Sequence, residues 1–170
     1  KRSDTISVFN GPSPTVRSLN SETEEIEHVA GWITRRIEAG VLPHELGVFV
    51  RAVGQLERAK AAAKAAGLPF EILDERTAEA RSGHVSLSTM HLAKGLEFRA
   101  VVVMACDDDV IPLQERIETV GDDADLQEIY DTERHLLYVA CTRARAQLLV
   151  TGIEPASEFL DDFGAVSRGL

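Results

Sequence analysis

Residues Ala100–Cys106 form an unbroken apolar run, Ala-Val-Val-Val-Met-Ala-Cys, between Arg99 and the acidic triplet Asp107-Asp108-Asp109. Seven residues fall far short of the roughly 20 that a membrane-crossing helix needs, and no other apolar stretch approaches that length. A short uniform run suits a strand buried on both faces of a parallel sheet, because alternation disappears when neither face meets water. Parallel neighbours must be joined by crossovers that cover the sheet. The segment therefore commits the chain to a layered α/β architecture.

The flanking patterns agree. Thr5–Phe9 and Thr15–Leu19 read as short strands around a Gly11-Pro12 turn. Ser21 and Glu24 form a capping box, and Ile26, Val29, Ala30, Ile33 and Ile37 follow at helical spacing until Gly40 and Pro43. Leu46–Val50 reads as a strand, residues 55–66 as an Ala-rich helix, and Phe70–Leu73 and His84–Met90 as strands around a charged loop. After an acidic connection over 107–121, a helix is predicted from about Asp122 to Ala144, then a strand at Gln147–Thr151 and a short helix at Pro155–Phe163.

At 170 residues, 44% hydrophobic and 27% charged, the chain is expected to be one globular domain over 1–170. Eighteen basic against 28 acidic side chains give a formal charge of -10, which excludes a domain that coats nucleic acid by bulk electrostatics. Any such contact must be local. Cys106 and Cys141 lie far apart in apolar surroundings and fit neither a disulfide framework nor a zinc site, so no metal site is assigned. A chain that opens Lys-Arg-Ser is expected to be part of a longer protein, and with no membrane span or signal peptide it is expected to be cytoplasmic.

Three constellations can carry chemistry. Thr89-Met90-His91-Leu92-Ala93-Lys94-Gly95-Leu96-Glu97-Phe98 follows a strand. Ligands of open α/β sheets gather at the carboxyl ends of strands, although an ordinary solvated loop with one satisfied histidine gives the same pattern. Lys94-Gly95 is not a Walker loop, which needs GxxxxGK[ST]. On the long helix, Leu126, Ile129, Tyr130, Leu136, Leu137 and Ala140 make one apolar stripe with Glu133 in its middle. A carboxylate facing a core needs a designated partner. Thr142, Arg143 and Arg145 crowd the end of that helix, either as cations completing its dipole or as guanidinium forks aimed at phosphate. Asp107–Asp109 reads as a solvated turn, with a divalent-metal site as the alternative.

The residues from Thr89 to Phe98 resemble motif V of superfamily 1 helicases of the UvrD/Rep type. Glu133-Arg134-His135-Leu136-Leu137-Tyr138-Val139-Ala140-Cys141-Thr142-Arg143-Ala144 resembles motif VI of that family. Leu46–Arg51, a helix and Gly67-Leu68-Pro69-Phe70 are similar to the family's stretch just upstream of its inserted domain. The likeness runs from about Glu22 to Gly152.

The resemblance implies the C-terminal part of the second RecA-like motor domain. That is a three-layer α/β fold of P-loop NTPase type, with a mainly parallel sheet and no Walker A loop of its own. It implies an ATP-dependent DNA helicase as the parent, with ATP and Mg2+ bound by the intact protein and neither by this chain alone. The partners implied are a first motor domain of the same chain and single-stranded DNA. A protein partner on the acidic surface belongs to the rival reading, a non-catalytic interaction module. A helicase–nuclease subunit is a third.

By position, Thr89 and His91 match residues that approach the DNA backbone. Gly95 and Glu97 match a nucleotide-facing turn, and Lys94 and Thr142 stand beside these groups. Arg143 matches the arginine that reaches the γ-phosphate, with Glu133 and Arg134 as its supporting charged pair and Tyr138 as packing. Two departures stand out. His135 occupies a place where the family often has a second Arg, and only 14 residues separate Phe70 from Val85, leaving no room for a large inserted subdomain.

Overall fold

The computed structural model describes residues 12–77, 79–164 and the backbone of 167–168. The strand expected at Thr5–Phe9 lies outside the described residues. In chain order the elements are β1 (Thr15–Leu19), α1 (Glu22–Glu38), β2 (Leu46–Val50), α2 (Leu56–Ala65), β3 (Phe70–Ile72), β4 (Val85–Thr89), β5 (Phe98–Val103), α3 (Gln114–Glu118), α4 (Asp123–Cys141), β6 (Ala144–Ile153) and β7 (Ser167–Arg168). The strands form one sheet in the order β3-β4-β2-β5-β6-β1-β7. Every pairing between them is parallel.

Alternate residues of the central strands feed two separate cores. Val48 and Val50 of β2, Ala100 and Val102 of β5, and Leu149 of β6 pack against Val29, Trp32 and Ile33 of α1 and Leu56, Ala59 and Ala62 of α2. Phe49, Val101, Val103, Leu148 and Val150 face the other way, onto Leu137, Ala140 and Cys141 of α4 and onto Phe159 and Leu160. All five residues of β2 are buried. Complete burial of one Leu, Ile or Phe side chain is worth roughly 1.5–3 kcal/mol, so the two-sided central strands are where most of the stability resides. Cys106 and Cys141 are buried free thiols, and burial raises both pKa values.

The apolar run that opened the sequence argument extends past its strand. β5 ends at Val103, and Met104, Ala105 and Cys106 continue into the core as a buried turn in which Ala105 takes φ 60. Two other boundaries also differ from expectation. α4 stops at Cys141, and β6 begins at Ala144 rather than Gln147. The chain must reverse within Thr142-Arg143 to enter the sheet, where Ala144 pairs with Phe98. Exposed Arg145 and Ala146 conceal the first part of that strand from a burial pattern. The acidic connection contains the short helix α3, and the last segment is a 3-10 turn over Glu158–Phe163.

Candidate functional site

Residues 90–97 join β4 to β5, which are parallel and separated in the sheet by β2. Such crossovers usually take a dozen or more residues. Eight residues can extend about 27 Å, enough to return along a five-residue strand of about 17 Å, but only if the segment lies flat on the sheet. It does: Met90 and Ala93 are buried in the α4-side core and Leu96 packs against it. At the far end Gly47 has no side chain where Phe98 lies, since a Cβ there would sit 2.6 Å from the Phe98 ring.

The crossover divides the expected site residues between opposite ends of the sheet. Thr89 and His91 lie at the carboxyl end of β4. Glu97 lies at the amino end of β5, near Thr142 and Arg143, because α4 runs back along the strands before β6 begins, whereas Lys94 and Gly95 line a cleft with His91, Asp74 and Glu75 partway along the crossover. Gly95 takes φ +88 in open space, a conformation that favours glycine. Lys94 is exposed.

At the amino end the polar groups are loosely held. Arg143 lies in the turn after α4, half-buried. Its Nη1 donates to the Leu96 carbonyl at 3.2 Å, its Nε to the Val139 carbonyl at 3.1 Å and its Nη2 to Thr142 Oγ1 at 3.1 Å. The Arg143 carbonyl in turn accepts from the Phe98 N–H at 2.9 Å. The turn after α4 is thus stitched to the crossover. Among the described residues, Glu97 has only a long, exposed contact with Arg145 Nε at 3.8 Å.

At the carboxyl end the polar groups are locked. Glu133 is 0% exposed. It accepts from Arg51 Nε at 2.8 Å and Arg51 Nη2 at 2.6 Å, from the Leu113 N–H at 2.8 Å and from Arg116 Nη1 at 2.8 Å. Burial alone would raise its pKa, but the Arg51 hydrogen bonds, with Leu113 and Arg116, overcome that and hold the carboxyl below its usual range. Arg51 Nη1 also lies 3.1 Å from His91 Nε2. Beside this cluster an open cleft of about 510 Å³ is lined by Thr89, His91, Leu92 and the acidic loop Asp74-Glu75-Arg76.

Residues 72–154 match the UvrD-like helicase C-terminal domain family. Just under half of this chain is thus similar to a UvrD-like helicase C-terminal domain. Curated relatives include the ATP-dependent DNA helicase UvrD1 of Mycobacterium leprae, 44% identical over 73 residues, which are 43% of this chain and 8% of that protein. Another is the ATP-dependent DNA helicase PcrA of Staphylococcus aureus (strain MRSA252), 40% identical over 80 residues, 47% of this chain and 10% of that protein. The shared segment is therefore a tenth or less of either relative. Over the whole fold the chain is similar to the C-terminal domain of a possible DNA helicase from Lactobacillus plantarum WCFS1, with a TM-score of 0.66 and 19% identity across 99% of this chain and 95% of that one. The fold is that of RecA-like helicase C-terminal domains.

Two expectations need correction. Glu133 and Arg134 do not pair with each other, since adjacent helical residues point to different faces. Arg134 Nε instead donates to Asp162 at 2.9 Å, and its guanidinium lies over the Phe159 ring at 4.4 Å. Tyr138 donates to the same carboxylate at 2.8 Å and stacks edge-on against Phe163. Arg143 is folded onto the carbonyls of Val139 and Leu96. The acidic triplet, expected as a solvated turn, is only partly so. Asp107 binds Arg58 at 2.8 Å and the Ile153 N–H at 2.8 Å, leaving Asp108 and Asp109 exposed.

Sequence reasoning missed two residues of this kind. Arg51, 3% exposed, is the partner that Glu133 required. Glu25, 0% exposed, anchors a second buried network in which Arg58 donates to Oε1, and the Ala105 N–H (2.8 Å) and Thr151 Oγ1 (2.7 Å) donate to Oε2. A signal for Glu25 exists: it shares a helical stripe with Val29, Trp32 and Ile33. Arg51, at a strand end, has none.

Proposed function

We propose that residues 1–170 are the C-terminal portion, as a single domain, of the second motor domain of an ATP-dependent DNA helicase. The observation that carries this reading is the contact between the Arg143 guanidinium and the Leu96 carbonyl. It joins motif VI to the glycine turn of motif V at one exposed edge. In the parent, a first motor domain would hold ATP and Mg2+ against that edge. Gly95 allows close backbone approach, Glu97 offers a carboxylate to the ribose hydroxyls, and Arg143 gives up its carbonyl partners for the γ-phosphate. A guanidinium fork suits that exchange because its charge is permanent and its donors are planar. Its effect falls on charge developing in the transition state.

Thr89 and His91 face the open cleft at the other end, where a single strand would lie. Lys94 stands exposed on the crossover between the two ends, and Arg134 ties α4 to Asp162. Opening and closing against the first motor domain would then be felt at the strand through the crossover and α4. With acidic residues on one lip of the cleft and a charge of -10, binding of single strands by this chain alone should be no tighter than the ~100 μM of weak non-specific contacts. The interaction-module reading has less support, since Asp107 is consumed by Arg58 and Asp122 caps α4 by accepting from the Asp125 N–H.

The test is DNA-stimulated ATP hydrolysis. The isolated chain should show none, and the full-length parent should lose it on Arg143→Ala. Turnover by the isolated chain that disappears in Arg143→Ala would overturn the half-site reading.

A further inference from the structure

We propose that Arg51 is a positioning residue that holds His91 as the neutral Nδ1–H tautomer, so that Nδ1–H is the donor His91 offers to a phosphodiester oxygen in the adjoining cleft. The Nδ1–H assignment stands on the geometry below; its use toward DNA rests on the reading of Thr89 and His91 given above.

A guanidinium has five N–H donors and no acceptor. Arg51 spends Nε and Nη2 on the two oxygens of Glu133, a forked pair that fixes the plane and rotation of the group. Glu133 is itself held by Leu113 and Arg116. Nη1 is therefore aimed by the pair rather than free to turn, and it meets His91 Nε2 at 3.1 Å. With a donor facing it, Nε2 must present its lone pair, and the single proton of a neutral imidazole must then reside on Nδ1. The hydrogen bond made by one ring nitrogen thus decides what the other can do.

The consequence links three segments far apart in sequence. Glu133 of motif VI orients Arg51 after β2, and Arg51 orients His91 of motif V. Movement of α4 would reach the cleft as a change in the donor that His91 presents. The His91 side chain is otherwise exposed and has no second bond among the described residues.

Nitrogen-15 NMR of the imidazoles, recorded on the whole chain at about pH 8 so that histidines are neutral, tests this. The wild type should show His91 with Nδ1 protonated and Nε2 bare. Arg51→Met should shift His91 toward the Nε2–H form that prevails in solvated histidine. If that variant fails to fold, the double change Arg51→Met with Glu133→Gln removes both buried charges and asks the same question. A wild-type His91 protonated on Nε2, or a tautomer unchanged in a folded Arg51 variant, overturns the proposal. Titration with oligo-dT separates the two readings. A shift at Nδ1 that shrinks in the Arg51 variant supports both, whereas a wild-type Nδ1–H tautomer that is lost in the Arg51 variant but shows no response to oligo-dT upholds the positioning role and removes single-stranded DNA from this cleft.

Discussion

The two ends of the sheet hold similar side chains in opposite ways. At the carboxyl end, Glu133 takes four hydrogen bonds from three residues and meets no water. At the amino end, Arg143 is half-buried on backbone carbonyls, and among the described residues Glu97 keeps only a 3.8 Å exposed contact. A saturated buried network is rigid and expensive to break, because loss of either partner strands a charge. A cation bonded to neutral carbonyls at a surface can exchange them for a phosphate at little cost. On the proposed reading, one end is built to stay and the other to change partners.

The largest expected effect lies at the amino end and leaves folding nearly untouched. In the full-length parent, Arg143→Ala and Arg143→Lys should each lower kcat by ~10³–10⁵, with nucleotide affinity far less affected. Arg143 is half-buried, so water can replace its partners when it is removed and no buried charge is stranded; the protein should remain folded in a thermal melt. Normal turnover with lost stability would erase the contrast between the two ends.

At the carboxyl end the pattern should invert. Glu133→Ala leaves Arg51 buried without its counter-ion and should cost about 3–5 kcal/mol by chemical denaturation. Glu133→Gln should cost less, since it keeps part of the hydrogen bonding. Two variants that melt like the wild type would mean that this network is not closed.

Acid offers a gentler probe of the same site. The Glu133 carboxyl is held below its usual range, so it binds its proton more readily unfolded than folded. Its contribution is fully present above the unfolded value of about 4.3 and is lost as pH falls through the lower folded value. Stability should therefore decline below about pH 4.3, and Glu133→Gln should flatten part of that decline. An unchanged acid limb in the variant would assign the decline to other carboxylates.

The smallest effect belongs to Glu97. Exposed ion pairs contribute about 0–1 kcal/mol, so Glu97→Gln should leave the melting temperature within error. In the parent the same change should weaken nucleotide binding if Glu97 meets the ribose. A large stability loss would place Glu97 in the fold rather than at the cleft.

Much of this was legible in the residues themselves. The Ala100–Cys106 run announced a two-sided strand, and the stripe around Glu133 announced a buried carboxylate in need of a cation. Motifs V and VI were long enough to indicate the family. Periodicity and run length report which groups leave water, and that is a local property of a helix or strand. The identity of Glu133's partner is not local. Arg51 stands 82 positions away at the end of β2 and becomes the partner only because β2 lies between β4 and β5, beneath α4. The same holds for Glu25 with Arg58, and for the Arg143 turn stitched to Leu96. Apolar patterning fixed what each segment buries. Only the order of strands in the sheet decided which charges meet, because a charge chooses its partner by distance in space, and spacing along the chain does not encode that.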